Sequence, residues 1–108
     1  MVAYRICEKK GDEYFTLFHG VGGSRKLEFG RWIIADRKMV IDGSDGTEYL
    51  SGFNVLPTWK DCNEYLRNFR SGKDLRIVGV ATGNVRPKLH SRAPVLLADE
   101  IFLLEDVT

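Results

Sequence analysis

Hydrophobic residues fall in short runs along this chain, broken by glycine, aspartate and lysine clusters, and one stretch carries a helical stripe. Ala3–Glu8 and Glu13–His19 are rich in Tyr, Ile, Phe and Thr and flank Lys9-Lys10-Gly11-Asp12, so the chain is expected to open with a β-hairpin. Gly20-Val21-Gly22-Gly23-Ser24 follows as a flexible turn. Within Lys26–Ala35, the positions Leu27, Phe29, Trp32, Ile33 and Ile34 satisfy neither the helical nor the strand period. Lys38–Ile41 reads as a short strand closed by the turn cluster Asp42-Gly43-Ser44-Asp45-Gly46. Thr47–Val55 reads as another strand, with Gly52 marking a bulge or a close backbone approach.

The helix is the clearest element. Thr58 follows Pro57 and can cap a helix whose third residue onward is Asp61, an acidic form of the capping box. Cys62, Tyr65, Leu66 and Phe69 follow the i, i+3, i+4, i+7 spacing and form one apolar stripe, and Ser71-Gly72 ends the run. The helix is therefore expected over 58–70. Leu75–Thr82 is a β-branched strand, 83–94 a loop with two prolines, and Val95–Leu104 the last strand. The expected fold class is α+β: one domain over 1–108, with a curved, mainly antiparallel sheet packed against one principal helix.

Composition narrows the class. A content of 44% hydrophobic and 29% charged residues is that of an ordinary soluble globular domain, and 108 residues form a core without staples. No apolar run reaches the roughly 20 residues of a membrane span. The first residues lack the basic-then-apolar design of a signal peptide. Cys7 and Cys62 have no CxxC spacing and read as small buried hydrophobes in a reducing compartment, so the expected location is cytoplasmic.

Charge changes the picture more. The net charge is +1, yet Arg67, Arg70, Lys73, Arg76, Arg86, Lys88 and Arg92 face a single Asp74 over 67–92. Such a local excess concentrates anions near a surface. Arg86, Lys88, His90 and Arg92 alternate, so in an extended loop they share one face, and Ser91 adds a hydroxyl. Arginine forks and serine hydroxyls are the groups that recognise phosphate. The competing reading is a solvated loop tied down by Asp99 or Glu100. His19, before the glycine turn, is either a ligand-facing group or a strand-end residue. No His, Cys and carboxylate spacing matches a metal site, and no Ser or Cys sits in a nucleophile elbow. Trp32, Trp59 and Phe69 read as core rather than base-stacking platforms.

Two resemblances follow from these residues. Tyr4-Arg5, Leu17-Phe18-His19-Gly20, Thr47-Glu48-Tyr49-Leu50-Ser51-Gly52-Phe53, the Arg86–Arg92 stretch and Val95–Ile101 resemble small bacteriophage accessory proteins. That resemblance implies a phage or prophage protein acting on host defence, in the cytoplasm of an infected bacterium, and carries no catalytic residues. His19-Gly20, Gly52-Phe53-Asn54 leading into the helix, and Glu100-Ile101-Phe102 resemble, in order, the motifs of ADP-ribosyltransferases, with Asn54 where those enzymes stack a tyrosine. It implies NAD as cofactor, with His19 orienting the nicotinamide ribose and Glu100 stabilising positive charge. The leading expectation is a non-catalytic binding module without cofactor or metal. Its basic loop, Arg86, Lys88, His90, Ser91 and Arg92, would engage an anionic partner: nucleic acid, a nucleotide or an acidic host protein. The enzyme is the alternative, and a virion structural component a third class.

Overall fold

The computed structural model describes residues 1–17, 25–36, 39–41, 48–69, 72–88 and 91–108. The opening hairpin is present: β1 (Val2–Lys10) pairs antiparallel with β2 (Glu13–Thr16), from Cys7 opposite Thr16 to Lys10 opposite Glu13. A two-residue turn joins them, and its Gly11 takes φ +60°, the left-handed conformation such tight hairpins need. The ambiguous stretch resolves into two short strands, β3 (Lys26–Leu27) beside β2 and β4 (Trp32–Ile34). Strand β5 (Met39–Ile41) pairs with β6 (Glu48–Leu50) as a separate ribbon.

The single strand expected over 47–55 is broken. After β6 the chain passes Ser51-Gly52 and resumes as β7 (Phe53–Val55). Gly52 explains the break, because a Cβ there would sit 2.9 Å from the Ala98 carbonyl oxygen. Helix α1 (Trp59–Leu66) follows, then β8 (Leu75–Pro87) and β9 (Leu96–Asp106). Thr58 caps α1 as expected: its hydroxyl accepts the Asp61 amide at 3.0 Å and donates to the Asp61 carboxylate at 2.8 Å. The helix is shorter than 58–70. Beyond Leu66 the amides of Arg67, Asn68 and Phe69 bond to carbonyls three residues back, which tightens the chain out of the α conformation.

The sheet order is β3-β2-β1-β8-β9-β4, with β7 also pairing β9. Tyr4 and Leu56 exchange both backbone hydrogen bonds at 2.8 Å, which carries β7 back onto β1. The ring β1–β8–β9–β7 is thereby drawn into a nearly closed barrel. The structure is thus a mainly antiparallel β fold with one short helix among the described residues, more β-rich than the α+β expectation. The main reason is β8. It runs on through 83–87, which the sequence assigns to a loop, because Asn84 takes φ +51° and the strand continues past it to pair with β9.

Alternation along these strands separates two cores. Ala3, Cys7, Phe53, Val55, Val78, Val80, Ala98, Ile101 and Leu103 meet with residues of β2, β3 and β4 inside the barrel. Ile6, Leu56, Ile77 and Val95 project the other way and pack with the fully buried Cys62 of α1, with Tyr65, Leu66 and Phe69 half-buried around them. Cys7 and Cys62 are both buried and unbridged. Trp32 and Trp59 depart from the expected core, at 49% and 41% exposed. Trp59 is nonetheless fixed, since its indole N–H donates to the Val107 carbonyl at 2.9 Å and holds α1 to the end of β9.

Candidate functional site

The expected site residues divide once placed in space. His19 and His90, like Arg70, lie outside the described residues. Arg86 belongs to β8 rather than to a loop. Its Nη1 donates to Asp99 Oδ1 at 2.5 Å, and its Nη2 donates to the carbonyls of Leu50 and Ser51 at 3.0 Å each. One guanidinium therefore fastens three segments: β8, β9 and the end of β6. The side chain is 30% exposed and its partner 14%, so the pair is partly desolvated and held in place. Arg86 is a structural tie to Asp99, the competing reading that the sequence left open.

Past Arg86 the β8–β9 hairpin continues to its tip. The Lys88 amide donates to the Val95 carbonyl at 3.1 Å, and the Val95 amide to the Ala93 carbonyl at 2.7 Å, so the tip is closed by backbone bonds. Ser91 is half-buried, and Arg92 is exposed. Lys88, Ser91 and Arg92 thus sit together at the end of a hairpin anchored by Arg86.

Much of the remaining positive charge in 67–92 is answered locally. Lys73 lies 3.8 Å from the buried Glu8, which Lys10 also approaches at 3.8 Å. Arg76 pairs with Asp74 at 2.9 Å and with Asp106 at 3.6 Å. The hydrogen bond from Arg76 holds the Asp74 carboxyl below its usual range. The apparent excess along the chain is therefore partly dissolved by the fold, which brings Glu8, Asp99 and Asp106 to it from other strands.

Glu100 pairs with Gly83 and Ile34 across the sheet. Its carboxylate lies over Gly83: a Cβ at that position would overlap the Glu100 side chain. Asp99, not Glu100, has taken the arginine. The Asn54 carbonyl accepts the Nη1 hydrogen of Arg5 at 2.9 Å. Among the described residues there is no group of three or more His, Cys, Asp and Glu able to hold a metal ion, and no helix is long and apolar enough to cross a membrane.

Two features were missed from sequence. The first is a surface groove of about 350 Å³ between β3 and β4, lined by Arg25, Lys26, Glu28, Arg31, Trp32 and the two isoleucines after it. Its cations are engaged: Lys26 with Glu13 at 3.2 Å, Arg31 with Glu28 at 3.3 Å, and Arg25 with the Ile34 carbonyl at 2.6 Å. The second is Arg5, buried inside the barrel at 7% exposure. Its signal was present, since Arg5 alternates with Ala3 and Cys7 on one face of a strand.

Arg5, Arg25 and Arg86 share a role. Each donates to a backbone carbonyl on another segment, of Asn54, Ile34, and Leu50 with Ser51 respectively. Arginine forks complete hydrogen bonding where strands of two or three residues run out of partners. No protein-family model, curated protein or solved structure matches this chain.

Proposed function

We propose that this protein is a non-catalytic binding module of the bacteriophage accessory type, acting on an anionic partner in the cytoplasm of an infected bacterium. The contact surface is the β8–β9 hairpin tip, with Lys88, Ser91 and Arg92 as contact residues and Arg86 as their anchor. One observation carries the reading: Arg86 ties the base of this hairpin to Asp99 and to two carbonyls, while Arg92 is held exposed beyond it. A hairpin base fixed in this way leaves less conformational freedom to lose on binding, which favours affinity. In this reading α1 packs against the sheet through Cys62 and its half-buried neighbours and stiffens the barrel behind the hairpin.

Nucleic acid is the first partner to test. Fluorescence anisotropy with a labelled single-stranded oligonucleotide should show binding that Arg92→Ala weakens and that an acidic peptide does not reproduce. Binding of the acidic peptide in place of the oligonucleotide would move the reading to a host protein. Binding unchanged by Arg92→Ala would remove the site.

A second reading has one observation in its favour. Glu100 is half-buried, lies over Gly83 and is left out of the Arg86 tie. Under it the chain is an ADP-ribosyltransferase-like enzyme using NAD, with His19 and Glu100 as its catalytic pair. Nicotinamide released from NAD by the wild type and abolished in Glu100→Gln would support it. No release from the wild type would end it.

A further inference from the structure

A buried guanidinium needs a counter-charge, and Arg5 has none among the described residues. Glu8, buried on the opposite face of the same strand, is approached by two lysines; no carboxylate among the described residues approaches Arg5. Its Nη1 donates to the Asn54 carbonyl, and its carbon Cζ stands 5.1 Å from the centre of the Phe53 ring. Its Nε is fully buried without a hydrogen-bond partner. The neighbouring Cys7 thiol supplies no negative charge, because burial pushes it up to about 11. Burial also draws the guanidinium below its ordinary value, although an arginine in a protein stays charged. An ion taken from water and left unpaired is among the costliest groups a fold can hold.

The barrel is weakest beside this side chain. Strands β1 and β7 are joined by the Tyr4–Leu56 bridge, and a cleft of about 20 Å³ opens at that seam. It is lined by Arg5 and Asn54 with Ile6, Leu17, Leu56, Tyr65 and Phe69. One cation and one amide residue within an apolar wall is the design of a small-ligand pocket. The volume holds a water-sized group. Anything larger requires the edge-to-face pair of Tyr65 and Phe69 to move aside, and Phe69 lies past the end of α1.

We propose that Arg5 anchors a binding site for a small apolar carboxylate, entered through the seam between β1 and β7. A planar monoanion neutralises one guanidinium and can accept from Nε, the buried donor that the Asn54 bond leaves without a partner. The apolar body then lies against Leu17, Leu56, Tyr65 and Phe69. A phosphate would bring more charge and more acceptors than one arginine in this wall can satisfy. The site is separate from the hairpin tip and does not rest on the function proposed for it.

The test is a titration of the full chain with sodium acetate and sodium butyrate against sodium chloride at equal ionic strength. The readouts are the Arg5 side-chain Nε–H resonance and the melting temperature. Butyrate should shift that resonance, bind at least several-fold tighter than acetate, and at about five times its Kd raise Tm by about 4–8 °C. Arg5→Met should lose the response, and Arg5→Lys, which keeps the charge without the fork, should bind at least tenfold more weakly. The resonance reports on the wild type, so the proposal is tested even if a variant fails to fold. An Nε–H signal unmoved by butyrate would overturn it, as would an equal shift with chloride.

Discussion

Arg86 and Asp99 form a short ion pair across the β8–β9 hairpin, and the same guanidinium also binds the carbonyls of Leu50 and Ser51. Removing the arginine leaves a largely buried carboxylate and two carbonyls without it. Arg86→Ala should therefore cost about 1–3 kcal/mol, the range for stranding partly buried polar groups. Arg92→Ala, on an exposed position, should change stability by less than about 0.5 kcal/mol. Urea denaturation of the two variants checks the contrast. Equal stability would mean that Arg86 does not anchor the hairpin.

The two glycines facing β9 should respond differently to one methyl group. At Gly52 a Cβ meets the Ala98 carbonyl oxygen at 2.9 Å, and backbone cannot swing away. Gly52→Ala should lose about 1–3 kcal/mol, as overpacked sites do. At Gly83 the obstacle is the Glu100 side chain, which can rotate outward, so Gly83→Ala should be milder. Thermal melts of both variants measure the difference. A harsher effect at Gly83 would contradict it.

Packing around α1 makes a graded prediction. Leu56 is 1% exposed and joins Ile77 and Cys62 in the core beneath the helix, whereas Leu66 is half-buried at its edge. Leu56→Ala should cost about 2–5 kcal/mol, enough to take much of a small domain's margin. Leu66→Ala should cost less. Chemical denaturation of the pair would reveal the reverse order if α1 packed by another face.

Tyr14 links stability to alkaline pH. Its hydroxyl donates to Asp106 Oδ2 at 2.7 Å, and that hydrogen bond, with burial second, pushes the phenol up to about 12. A free tyrosine ionises near pH ~10. The folded value is the higher, so the stabilisation is complete below about pH 10 and is lost as pH rises towards 12. The stability difference between wild type and Tyr14→Phe should be constant from about pH 7 to 9 and shrink between about pH 10 and 12. A difference that persists unchanged through this window would contradict the pairing. Asp106 has the opposite sign. Burial would raise it, but hydrogen bonds from Thr108 and Tyr14 outweigh that and hold it low, so its contribution is lost as pH falls below about 4.

The parts of this fold that were legible in sequence are those set by neighbours along the chain. Thr58 and Asp61 cap α1 because both partners lie within one turn, and Gly11 permits the β1–β2 turn by its own backbone. The extension of β8 was hidden because Gly83, Asn84 and Pro87 look like loop residues, and only pairing with β9 holds them extended. Trp32 looked like core because its exposure depends on β4 lying at the end of the sheet order. The candidate site was legible by half. Charge alternation pointed to Arg86–Arg92, but the partner of Arg86 comes from another strand, as do Glu8 for Lys73 and Asp106 for Arg76. Arg5 was visible only as an alternation, since nothing local says that its face is the inside of a barrel.

The hairpin tip is tested most directly by the salt dependence of oligonucleotide binding in the wild type and in the Lys88→Ala, Arg92→Ala double variant. Each phosphate neutralised on a single strand contributes about 0.7 to the slope of log K against log salt. If both cations contact phosphates, the double variant should bind more weakly, with a slope shallower by about 1.4. Superimposable salt plots for the two proteins would contradict the account.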